Sequence, residues 1–312
     1  MKKIFPLIFL IFVLISMLMN ADKVIVAVSF SFDICMKNLF PSLLPFLILS
    51  SVLSNYGFVE LVSEALKPIM IKIFHLNSNC AYVLILSMLS GTPSNSKYIK
   101  ELIDNKKINY KEANQILLFS HFTNPLFIIG TIGSLFLDNK IYGIIILISH
   151  YLANFIIGFF LRPKDKPEYI KSDFRKILNI EPKGFIESLK IGISDAINTL
   201  LIIFGTITSC LVFSNIISSY FNFNPIFNGF LEVTSGLRYI SLSNIKLIYK
   251  IIFSCFFISF GGISIHAQVL SILDNKKIRY LPYLEARLLQ GLISSLIVYF
   301  IYILITKFSV LN

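Results

Sequence analysis

AYVLILSMLSGTPSNSK, residues 81–97, begins as a membrane segment and does not finish as one. The apolar run Ala81 to Leu89 covers as helix only about half of a hydrocarbon core. It then meets Ser90, Gly91, Thr92, Pro93, Ser94, Asn95, Ser96 and Lys97, and a charged loop from Lys100 to Glu112 follows almost at once. A segment of breakers and hydroxyls at membrane depth is reconciled with its flanks by a re-entrant hairpin, near 80–104.

The surroundings support a membrane reading. Of 312 residues 55% are hydrophobic and 14% charged, against roughly 25% charged in a soluble domain. Mean hydropathy is +0.77. The apolar runs are continuous, where barrel strands alternate over about ten residues, so the expected class is an all-α polytopic membrane protein. The net charge of +11 lies in short loops between apolar runs, the pattern of the positive-inside bias rather than of nucleic-acid binding. Cys35, Cys80, Cys210 and Cys255 show no CxxC pairing, so neither a disulfide framework nor a zinc site is implied.

Upstream, Lys2 and Lys3 followed by Ile4 to Met19 resemble a secretory signal without a clear cleavage site, which reads as an uncleaved first helix. Val24 to Ser54, interrupted by Asp33, Lys37, Pro41 and Pro45, predicts a long, kinked or broken span. Residues 55–79 look interfacial. Downstream, spans are expected at Ala113 to Leu137 and Ile141 to Leu161, at Ile191 to Ile217 and at Leu284 to Ile305, and the short run Ile251 to Phe260 is broken by Gly261-Gly262. Residues 1–161 form an N-terminal membrane half, 162–190 a charged cytoplasmic linker, and 191–312 a C-terminal half with its own re-entrant hairpin near 246–274.

Residues 91–110 (GTPSNSKYIKELIDNKKINY) and 261–280 (GGISIHAQVLSILDNKKIRY) share a leading Gly, a Ser at the fourth position and DNKKI followed one residue later by Tyr. This predicts two internally repeated halves with broken helices, as in secondary transporters. Counting spans puts the two hairpins on opposite sides, an inverted repeat. Lys276, Lys277, Arg279 and Arg287 would then face outward against the charge rule, and a parallel repeat stays open.

Each polar cluster has a structural alternative. At residues 90–97 hydroxyls, an amide, freed backbone and a cation could bind a polar solute; alternatively Ser94 is an N-cap and Lys97 snorkels. Gly261, Gly262, Ser264, His266 and Gln268 occupy the matching position, and an ionisable residue at that depth points to function, while a hydrogen bond to a neighbouring helix is the plainer role. In HFTNP (121–125), Pro125 frees carbonyls beside Thr123 and Asn124, or merely kinks the helix. Glu232, Thr234, Ser235 and Arg238, with Asn198 and Thr199, are weaker candidates. His150 and Asn154, one turn apart, fit helix packing. Catalytic motifs such as GxxxxGK[ST], HExxH and GxSxG do not occur, so no catalytic residue, metal or cofactor is assigned.

SGTPSNSK, FTNPLFIIGTIG (122–133), ISHYLANFIIG (148–158), GFLEVTSG (229–236) and SFGGISIHAQVLSIL (259–273) together resemble the YlbJ/SpoVV family of sporulation integral membrane proteins, within the nucleoside-recognition or Gate superfamily. The resemblance covers nearly the whole chain and implies a concentrative-nucleoside-transporter-like fold. It implies a multi-pass cell-membrane protein, in sporulating cells in the outer forespore membrane, carrying the small organic anion dipicolinate from the mother cell. Family text at 92–97 is often YPSGAK-like; here Lys97 is kept but Asn95 replaces the glycine. The partners expected are the solute and the lipid bilayer, with no nucleic acid, and a homo-oligomer is compatible. Nucleoside transport and a non-transporting scaffold for cortex assembly are the alternatives.

Overall fold

The structure is a computed structural model that describes residues 4–167, 184–220, 226, 228–274 and 276–310. Its described regular elements are all helices: α1 (Ile4–Met19), α2 (Ala21–Asn55), α3 (Phe58–Ala65), α4 (Lys67–Lys72), α5 (Cys80–Ser90), α6 (Ser94–Asp104), α7 (Tyr110–Leu117), α8 (Phe127–Phe136), α9 (Lys140–Phe160), α10 (Phe185–Tyr220), α11 (Asn228–Leu231), α12 (Val233–Leu242), α13 (Leu247–Phe260), α14 (Gly262–Leu273) and α15 (Tyr280–Val310). Most of the expected linker at 162–190 lies outside the described residues.

Polarity runs inside out. Along α15, Leu288, Leu292, Leu296, Phe300 and Leu304 form one stripe at four-residue spacing, 41–61% exposed, while Arg287, Gln290 and Ser294 on another face are buried. Water would favour the reverse, whereas a bilayer rewards apolar surface and demands that polar groups be satisfied within the protein. Among the described residues, five helical segments are long and apolar enough to cross a membrane.

Several expected breaks take other forms. Pro41 and Pro45 do not interrupt α2. The helix widens into a π-turn at Cys35–Leu39, where the Phe40 N–H reaches the Cys35 carbonyl, just before the first proline ring needs clearance. The span expected at Ala113 to Leu137 is helical only to Leu117. Residues 118–124 are unwound. Helix then restarts at Pro125, with the Asn124 side chain accepting from the Leu126 and Phe127 N–H groups at 2.8 and 3.3 Å. Pro125 is thus a first-turn proline behind an Asn cap, not a kink.

The DNKKI loops lie together. Asn114 Nδ2 donates to the Lys277 carbonyl at 2.9 Å and its Oδ1 accepts from the Arg279 N–H at 2.7 Å, joining α7 to the loop after α14. Leu273 and Ile278 share a hydrophobic cluster with Ile108 and Ile116 at this end. Leu247 and Ile251 belong to another cluster, with Leu137 and Val298. The chain from α13 through α14 therefore crosses the bundle, and the fold-back expected near 246–274 is not its path. The 170-residue alignment pairs a hairpin turn with an interruption in a crossing, and the two loops do not lie on opposite sides. Short helices fold back on each other in the pairs α5 with α6 and α11 with α12. The latter closes so tightly that a Cβ at Gly236 would lie 2.2 Å from Gly229 Cα. Ser214 of α10 bonds Asn228 at 2.9 Å, and nearby Lys23 Nζ reaches Ser219 at 2.8 Å. These contacts set the base of the α11–α12 hairpin at the end opposite Asn114.

Candidate functional site

Four interruptions meet at one cavity of about 60 Å³, lined by Thr92 and Pro93 from the α5–α6 turn, Thr123 and Asn124 from the unwound stretch, Glu232 and Thr234 from the α11–α12 turn, and Ser264 and Gln268 from α14. Leu39 and Leu43 of α2 with Ile203 and Ile207 of α10 close it with apolar surface. The volume is well below the roughly 300 Å³ of a small-molecule pocket, so little free space remains between the helices here.

The unwound stretch survives because neighbours occupy its polar groups. Arg287 donates to the Leu118 carbonyl and to Gln290 Oε1. The His121 carbonyl accepts from Asn154 at 2.6 Å and Gln290 at 3.3 Å. His150 Nε2 accepts from the Thr123 N–H at 3.0 Å, leaving its Nδ1 to face Ser259 Oγ at 2.8 Å. The Phe122 carbonyl accepts from the Thr92 N–H at 2.6 Å, which docks the hairpin turn on the break. Asn124 Nδ2 reaches the Ser42 and Leu89 carbonyls at 3.3 and 3.0 Å. Gly91 allows this approach: its φ is +84°, and a Cβ there would lie 2.7 Å from the Asn124 nitrogen.

Across the cavity, Glu232 caps α12, its oxygens accepting from the Thr234 and Ser235 N–H groups at 3.0 and 2.6 Å. The α14 side is shaped by Gly261, φ +92°, and by His266, whose Nε2 donates to the Phe260 carbonyl at 2.9 Å while its Nδ1 lies 3.2 Å from the Tyr280 hydroxyl. Three polar atoms at the cavity are buried without a protein partner: Thr92 Oγ1, Ser264 Oγ and Gln268 Nε2. Unsatisfied buried donors in a cavity are what a polar solute would engage.

Of the residues read from sequence, Thr92, Pro93, Thr123, Asn124, Glu232, Thr234, Ser264 and Gln268 come together here. Others serve structure. Ser90 bonds the Leu86 carbonyl at 2.8 Å and the Tyr98 hydroxyl at 3.0 Å, and Asn95 reaches Ser120 at 3.3 Å. Ser96 lies 3.4 Å from Asn95 Oδ1. Ser94 is not a cap, since Pro93 holds that position and the buried Ser94 Oγ has no partner. Lys97 does not reach the cavity but pairs with Asp195 of α10 at 3.1 Å. Thr199 bonds the Asp195 carbonyl at 2.8 Å and Asn198 is exposed. Gly261 and Gly262 bend the chain without lining the cavity, and Ser235 and Arg238 line openings beyond it. Sequence reasoning missed Arg287 and Gln290, whose signal was two polar residues three apart within the final apolar span.

A family model described as Nucleoside recognition (Gate) matches residues 36–139, which take in the first hairpin and the unwound stretch. The sporulation integral membrane protein YlbJ of Bacillus subtilis (strain 168) is 30% identical over 296 residues, covering 83% of this chain and 72% of that protein. No solved structure matches. A likeness of that extent, carried through both halves of the bundle, places this integral membrane protein in the YlbJ family of sporulation membrane proteins.

Proposed function

We propose that the chain is a secondary-type transporter, without catalytic chemistry, whose solute passes through the cavity between the two helical hairpins. The convergence of four interruptions on one small cavity with unengaged donors carries this reading. Irregular backbone in a bilayer is tolerated where protein or a wet cavity satisfies it, and transporters place their sites at such points. The order hairpin, interrupted crossing, long helix occurs as α5–α6, α7–α8, α9 and again as α11–α12, α13–α14, α15. We read this order as an internal repeat in a register other than 170 residues. On this reading the two hairpins enter from opposite ends, as re-entrant hairpins of an inverted repeat would. Lys106, Lys107, Lys111, Arg162, Lys276, Lys277 and Arg279 gather at the Asn114 end, the cytoplasmic one by the charge rule.

The solute is a small planar organic anion, dipicolinate, leaving the mother cell across the outer forespore membrane. The family resemblance and the relative's name as a sporulation membrane protein support this. The Glu232 oxygens are taken up by the Thr234 and Ser235 N–H groups, so Thr92, Ser264 and Gln268 remain to donate to carboxylate oxygens. A nucleoside is the second reading, favoured by the Nucleoside recognition match and by a cavity without Lys, Arg or His among its lining residues.

The test is uptake of labelled dipicolinate into proteoliposomes with uridine as competitor, comparing native protein with Gln268→Leu and Ser264→Ala. Saturable dipicolinate uptake, cut about tenfold or more in Gln268→Leu, is expected. Uptake of uridine alone transfers the site to nucleosides. Folded protein that moves neither solute leaves the scaffold role.

A further inference from the structure

The central cavity supplies no cation, yet a recess containing two adjoins it. Thr234 lines both the cavity and an opening of about 220 Å³ walled by Phe30, Asp33, Lys37, Phe136 and Arg238. Lys37 and Asp33, one turn apart near the middle of α2, form an ion pair at 2.9 Å with side chains 72% and 57% exposed. Charges that deep in a span are placed where water reaches, which favours a vestibule open to water over a lipid-facing surface. The Arg238 guanidinium carbon lies 4.9 Å from the Phe30 ring centroid, and no ion pair engages Arg238 among the described residues. Lys37 and Arg238 against Asp33 leave the recess one positive charge in excess.

We propose that this vestibule is a second binding site, for a small planar carboxylate, with Arg238 holding the carboxylate and Phe30 and Phe136 flanking the ring. A guanidinium whose face lies on an aromatic ring still presents its edge, and that edge matches a carboxylate bidentately. The pairing of Lys37 with Asp33 holds the net attraction to a single charge, which suits a station that must also release its anion to Thr234 and the cavity. Anion preference then resides in the vestibule, and the uncharged donors of the cavity accept whatever the vestibule admits. The inference deepens the anion reading and rests on it.

The chain contains no Trp, so Phe136→Trp places a single indole in the recess. With the full chain in detergent, pyridine-2,6-dicarboxylate should change its emission saturably, uridine should not, and added salt should weaken the response. Adding Arg238→Gln should raise the half-saturating concentration about tenfold or more, with Arg238→Lys between. Equilibrium binding of labelled dicarboxylate to Arg238→Gln alone guards against an effect of the indole, and counterflow of the same label in vesicles reports transport separately. Native-like binding in Arg238→Gln with counterflow intact overturns the vestibule and leaves anion transport standing. Arg238-dependent binding without counterflow overturns anion transport and leaves the vestibule. No dicarboxylate binding by folded protein overturns both.

Discussion

Between α7 and α8 seven residues, 118–124, leave the helix, whereas between α13 and α14 the chain turns on Gly261. Side chains from other helices sustain the first interruption: Arg287 and Gln290 of α15, Asn154 and His150 of α9, with the Thr92 backbone from the hairpin turn. The second is local, a left-handed glycine with His266 bonding back to the Phe260 carbonyl. An opening built by distant partners records how several helices are placed relative to one another, and one built on glycine records mainly its own backbone. Damage at the first should spread through the bundle and damage at the second should stay near it.

Asn124→Leu should show the largest effect. It frees two carbonyls and two N–H groups in the interior, a loss on the order of 3 kcal/mol or more. A thermal melt in detergent measures it, and an unchanged melt would erase the contrast between the two breaks. Arg287→Leu strands the Leu118 carbonyl and Gln290 Oε1 and should cost about 2 kcal/mol, with faster hydrogen exchange across 118–124. Protection lost equally around Gly261 would show that the breaks are not separate. Gly261→Ala must hold φ +92° with its Cβ 2.7 Å from His121 Cε1, so about 1–2 kcal/mol is expected, confined by exchange to α14 and the His121 ring. At the small end, Asn198→Ala on an exposed face of α10 should shift stability by less than about 0.5 kcal/mol. It should leave uptake unchanged, and a transport defect there would reopen its claim to the solute path.

Much of this was legible because breakers at membrane depth are conspicuous. SGTPSNSK, HFTNP and GGIS each mark a true interruption, and each contributes to the cavity. The α11–α12 hairpin was harder to see, because GFLEVTSG reads locally as an ordinary cap before a short helix. The misleading signal was DNKKI at residues 104–108 and 274–278. Both copies are basic loops at one end of the bundle, and that shared location favours a similar composition without structural equivalence. Lys97 and His266 looked like solute ligands because they are ionisable, but Asp195 and the Phe260 carbonyl occupy them. Pairing of this kind depends on which helices become neighbours, and sequence spacing carries little of that. Asp33 and Lys37 registered only as interruptions of an apolar run, although their depth was the signal of the vestibule.

α2 and α10, 35 and 36 residues long, pack against each other. At 1.5 Å per residue each is about 50 Å long, against a hydrocarbon core of about 30 Å. Helices this long lean or stand proud, and mismatch carries a modest cost per ångström. Locked side by side, the pair cannot settle that mismatch one helix at a time. Membrane thickness therefore acts on both together, on the two helices that contribute Leu39, Leu43, Ile203 and Ile207 to the cavity wall, so a thicker or thinner bilayer should alter how readily the pair parts.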